Sequence, residues 1–61
     1  MRVLTIEELM RMTKTELLTL ERKIRLELPA LPEGSPERTN ARINLHNIRW
    51  VLARCAMSHH W

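Results

Sequence analysis

Two complete helix-start signals stand eight residues apart at the head of this 61-residue chain, and no other feature constrains its fold as much. Thr5-Ile6-Glu7-Glu8 is a capping box. The Thr5 hydroxyl can accept from the amide of Glu8 while the Glu8 carboxylate reaches back to the amide of Thr5. Leu4 and Leu9 occupy the flanking hydrophobic-staple positions. The same grammar repeats at Thr13-Lys14-Thr15-Glu16, with Met12 and Leu17 as its staple. A helix that must stop before a second one starts leaves room for only a short first element, over about residues 6–11. A corner at Met12-Thr13 then opens a longer helix over about 14–28.

That second helix carries Leu17, Leu20, Ile24 and Leu28 as one apolar stripe, with Lys14, Glu21, Arg22, Lys23, Arg25 and Glu27 on the wet side. Leu18 and Leu26 fall off the stripe and are expected to broaden it towards the first helix. Pro29 disfavours helical geometry at Leu28 and is expected to end the helix there. Leu31, between Pro29 and Pro32, is expected to plug the end of the core. Ser35-Pro36-Glu37 supplies an N-cap, a proline at the first helical position and an acid at the positive end of the dipole. The last helix is therefore expected over about 36–56. Gly34 is the only glycine and nothing alternates with a strand period. The fold class is all-α: a small three-helix domain spanning 1–61, with 57–61 as a frayed tail.

The last helix has more apolar surface than such a fold needs. At about 100° per residue, Ala41, Leu45, Ile48, Leu52 and Cys55 gather on one side with Val51 at its edge. Ile43, Trp50 and Met57 gather on nearly the opposite side, with His46 and Ala53 beside them. Three arrangements fit. The helix threads between the other two and buries both faces, or the Ile43/Trp50 face stays partly exposed and serves as a contact surface, or Trp50 is half buried and still touches a partner. In the second case the candidate partner-binding residues are Ile43, Trp50, Ala53 and Met57 with flanking Arg42, Arg49 and Arg54, since Trp and Arg are enriched where binding energy concentrates.

Residue types needed for catalysis are scarce. The chain has neither Asp nor Tyr, and its only serines are Ser35, assigned to a cap, and Ser58. No glycine-rich loop is available to cradle phosphate. Cys55 sits on the apolar stripe as a small core residue rather than a nucleophile. His46, His59 and His60 lack metal-ligand spacing, and no cofactor is expected. The protein is expected to be no enzyme. With a lone cysteine, no disulfide, and a start that reaches Glu7 too soon for a secretory core, a reducing cytoplasm is the expected setting. No apolar run approaches the ~20 residues of a membrane span.

The net charge of +3 is uneven: Arg38, Arg42, Arg49 and Arg54 face only Glu37 in residues 35–61, whereas acids balance bases before that. A basic half suits an acidic protein surface or a phosphate backbone. Direct nucleic-acid binding is the weaker alternative. A groove-reading helix over 14–28 would be nearly neutral, and Asn44 of the more basic last helix falls near the core arc. A small, unstapled core suits a monomer or weak dimer, and a further alternative is a self-assembling helical module that uses the Ile43/Trp50 face as an isologous contact.

Several stretches taken together resemble a known family. They are Leu4-Thr5-Ile6-Glu7-Glu8-Leu9-Met10, Thr13-Lys14-Thr15-Glu16-Leu17, Glu27-Leu28-Pro29-Ala30-Leu31-Pro32-Glu33-Gly34-Ser35-Pro36-Glu37-Arg38, and Asn47-Ile48-Arg49-Trp50-Val51-Leu52-Ala53-Arg54. They are similar to the QseM-like small antiactivators encoded on rhizobial and related proteobacterial integrative and conjugative elements, across roughly residues 4–54. The stretch Cys55 to Trp61 has no counterpart in that pattern. The resemblance implies a protein partner that is a transcriptional activator, either a LuxR-type quorum-sensing regulator or an activator of element excision. Sequestering it would keep conjugative transfer silent. The resemblance assigns no contacts to particular positions. The candidate residues rest on helix geometry alone.

Overall fold

The computed structural model describes residues 2–58, with side chains described for 2–54. Both capping boxes form. Thr5 Oγ1 accepts from the amide of Glu8 (3.1 Å) and Glu8 Oε1 accepts from the amide of Thr5 (3.0 Å), starting α1, Ile6–Met10. Thr13 and Glu16 make the reciprocal pair at 3.1 and 2.8 Å, starting α2, Lys14–Glu27. Each box satisfies two amides that a helix N-terminus would otherwise leave unpaired.

The α-helix ends where Pro29 predicts, with Leu28 as its C-cap, but Leu28 keeps helical dihedrals (φ −52°, ψ −47°) despite preceding Pro29. The chain then tightens into a 3-10 turn, Leu28–Ala30. Proline is tolerated in such a first turn because its missing N–H has no partner to lose. The turn brings Leu28 and Leu31 against the core. Arg38 then reaches back from the next helix and donates to the carbonyls of Leu31 (2.9 Å) and Leu28 (3.4 Å), the latter already accepting from the Leu31 amide (3.1 Å).

Gly34 has φ +78°, as the third residue of a turn closed by the Ser35 amide on the Pro32 carbonyl. Ser35 Oγ accepts from the amide of Arg38 (3.2 Å), and α3 runs over Pro36–Ser58. It thus includes two residues assigned in advance to the tail. The remaining expected tail residues, His59 to Trp61, lie outside the described residues.

The buried core is Leu9, Leu17, Ile24, Ala41, Leu45, Ile48 and Val51, one side chain from α1, two from α2 and four from α3. Leu4, Ile6, Met12, Leu20, Leu28, Leu31 and Leu52 close around it. Val51, expected at the stripe's edge, is buried, and Leu52 is only partly so, because the arc that α3 buries is centred nearer α1. Leu18 and Leu26 do not broaden the core. They are 46% and 71% exposed, since α2 leans on α3 rather than on α1. The expected core role of Cys55 concerns a side chain outside the described set.

Both α1 and α2 pack on α3 and leave its Ile43/Trp50 side uncovered. Arg49 marks the α2 flank through Glu21. Asn44 marks the flank of the N-terminal segment. The molecule is accordingly long and thin, 42 × 19 × 14 Å, with α3 (about 35 Å at 1.5 Å per residue) as its spine.

Candidate functional site

Of the arrangements that the sequence allows, the packing of α1 and α2 on α3 excludes burial of both faces. The third side of α3 is uncovered. Ile43 is 41% exposed and Trp50 45% exposed. Thr39, Arg42, His46, Arg49, Ala53 and Arg54 are exposed around them. Burial on both faces is therefore not what α3 does. Six of the seven proposed contact residues share this outer surface. The side chain of the seventh, Met57, lies outside the described set.

The three arginines are held differently. The Arg54 guanidinium carbon lies 4.7 Å from the centre of the Trp50 ring, a cation–π stack that steadies the indole and leaves a flat apolar and cationic platform. Arg49 donates from Nε to Glu21 at 3.3 Å, while its side chain stays 58% accessible. That pair pins the basic edge to α2 with modest energy, as exposed ion pairs do. Arg42 lies towards the N-terminal end of the helix and lines a polar recess with Glu33, Gly34, Arg38 and Thr39.

Asn44 is fully buried on the opposite arc. Its Oδ1 accepts from the amide of Leu4 (2.7 Å) and its Nδ2 donates to the carbonyl of Arg2 (2.8 Å). The amide acts as a two-pronged strap that pairs an extended segment with a helix side chain, as a strand partner would. It is not available to read a base edge. Sequence reasoning placed Asn44 near the core arc but did not find its partners. A polar residue on a core arc with an amide's donor–acceptor pair was the available signal. Arg38 was likewise read only as charge, although its place one turn into α3 aims it at the preceding helix end.

The electrostatics of the caps lie away from the outer face of α3. The Arg2 guanidinium bonds the Glu8 carboxylate, one oxygen at 3.0 Å, and with the Thr5 amide holds that carboxyl down to about 2. The Arg2 guanidinium is held above its usual range by the same bond. The Thr13 amide lowers Glu16. These are groups that stabilise helix starts.

A cleft of about 230 Å³ opens between the end of α2 and the start of α3, with Ile24, Leu31 and Ala41 at its base and Glu27 and Glu37 on its walls. It brings no nucleophile beside a base. Among the described residues, no three His, Cys, Asp or Glu side chains are grouped to hold a metal ion. No described helix is long and apolar enough to cross a membrane. Comparison with protein-family models, curated proteins and solved structures finds no match to this chain.

Proposed function

We propose that the protein is a non-enzymatic antiactivator, acting in the cytoplasm by binding a transcriptional activator through the outer face of α3. The observation that carries this reading is an indole and an isoleucine standing on the side of α3 away from a core that is complete without them. Large apolar side chains left on a helix that has already buried its stripe are suited to a partner. The arginine-flanked platform matches the residue types of binding hot spots. The resemblance of residues 4–54 to small antiactivators of conjugative elements supports the choice of partner: a LuxR-type regulator or an activator of excision.

Direct DNA binding is less well supported. Asn44 is committed to the strap and Arg38 to the helix end, so neither is offered to a base edge or a phosphate.

The test is co-purification with the candidate activator, alongside a reporter driven by that activator. Trp50→Ala and Ile43→Gln should each abolish capture and derepress the reporter while the helical circular-dichroism signal persists. Capture at wild-type level by both folded variants would refute the reading.

A further inference from the structure

The outer face of α3 has a register as well as a composition. Thr39, Ile43, His46, Trp50 and Ala53 follow one another at intervals of four, three, four and three residues, and every one of them is exposed. That is the spacing of a coiled-coil seam, in which every first and fourth residue of a heptad faces a partner helix. Ile43 and Trp50 take the first position, and Met57 continues it in sequence. Thr39, His46 and Ala53 take the fourth. Bulky residues at one seam position and smaller or polar ones at the other leave holes that accept knobs from a helix lying alongside.

The flanks of this seam carry one sign of charge. The positions just before Ile43 and Trp50 are Arg42 and Arg49. Those just after Thr39, His46 and Ala53 are Asn40, Asn47 and Arg54. No acidic residue occupies a flanking position. Two acids approach the seam from other elements: Glu21 of α2, through Arg49, and Glu33, which lines the recess shared by Thr39 and Arg42. A second copy of this chain would therefore meet like charge in either orientation. Antiparallel pairing sets Arg42 and Arg49 against their own counterparts. Parallel pairing sets Arg49 against Arg54. Flanking charges of this kind choose partners and orientation in helix pairs.

We infer that this seam pairs with a single amphipathic helix of a partner protein whose flanks are acidic, and that it disfavours a second copy of itself. The inference rests on the docking face proposed above and adds the partner's secondary structure, register and charge. It makes the surface a two-heptad clamp, with Trp50 under Arg54 at its centre and a basic residue along each edge.

The probes are two synthetic helical peptides of three heptads with leucine at both seam positions. One carries Glu at all flanking positions and the other carries Lys. The protein is the full chain with Trp61→Phe, so that Trp50 emission reports binding. The Glu-flanked peptide should bind several-fold more tightly than the Lys-flanked one at low salt, with Arg42 contributing most, since Arg49 is already paired with Glu21 and Arg54 is stacked on the indole. Arg42→Glu with Arg49→Glu should narrow or reverse that preference. Sedimentation should show a monomer throughout the concentration range used.

Equal affinity for the two peptides overturns the charge-selected partner. So does dimerisation through this face, or capture of a DNA duplex with steep salt dependence in place of the Glu-flanked peptide. If neither peptide binds while activator capture still depends on Trp50, the helical partner is overturned and the docking face stands. If activator capture is also independent of Trp50, both fall.

Discussion

Removing the Asn44 amide tests whether a buried polar side chain, rather than apolar packing alone, ties the N-terminal segment to the spine. Asn44→Ala deletes hydrogen bonds of 2.7 and 2.8 Å to Leu4 N–H and Arg2 C=O. Each is worth about 1 kcal/mol net, so about 2 kcal/mol is lost if the freed groups reach water. More is lost if they stay buried without partners. A chain of 61 residues has roughly 3–9 kcal/mol in total, so this is a substantial share. At about 4–8 °C per kcal/mol the midpoint should fall by about 8–16 °C. Urea and thermal unfolding followed by circular dichroism would measure it, with exchange of the Leu4 amide as a local readout. That amide should exchange much faster in the variant. Asn44→Leu separates bonding from packing, because it restores apolar volume but neither bond, and it too should be destabilised. An Asn44→Leu protein as stable as the wild type, with Leu4 still protected, would refute the strap.

Two further predictions concern the caps and the turn. Glu8 and Glu16 have carboxyls held below the usual range, Glu8 at about 2, by hydrogen bonds that exist only when folded. The unfolded chain therefore binds more protons between the ordinary carboxylate range and about pH 2. Stability conferred by these groups is fully present above that range and is lost as pH falls through it. Melting temperature should decline on acidification across this window, and Glu8→Gln should flatten the decline. An unchanged slope would contradict the assignment. Gly34→Ala should cost about 1 kcal/mol by backbone strain alone, since φ is +78° and nothing lies within 4 Å of the added methyl, and Gly34→Asn should cost less. Equal stability of the wild-type and Ala proteins in urea titrations would count against the left-handed turn.

The helix starts were legible because their chemistry is local. Thr5 with Glu8 and Thr13 with Glu16 contain both halves of each hydrogen-bonded pair within four residues, as do Ser35 and Arg38 at the head of α3. The stripe of Leu17 and Ile24 against Leu45 and Ile48 was legible for the same reason, since one helix's periodicity fixes its own buried arc. Relations between elements were not. Pro29 warned of a break, yet Leu28 stayed helical because the following 3-10 turn spends no proline N–H and Arg38 donates to the Leu31 carbonyl. Leu18 and Leu26 looked available to widen a core, but α2 and α1 both pack on α3 and leave them in solvent. The same placement left the Ile43/Trp50 face open, and no helical wheel drawn for α3 alone carries that information. Asn44 was readable as buried but not as a strap, because its partners are 40 and 42 residues away in the chain.

Acrylamide quenching of the single-tryptophan Trp61→Phe protein is the most direct measurement, since every functional statement requires water at the indole of residue 50 before any partner arrives. The native protein should be quenched readily, though more slowly than the same chain in urea because the indole is 45% exposed and lies under Arg54, with a drop when the partner is added. An indole shielded several-fold in the free native monomer, and unmasked only by denaturant, would contradict the account.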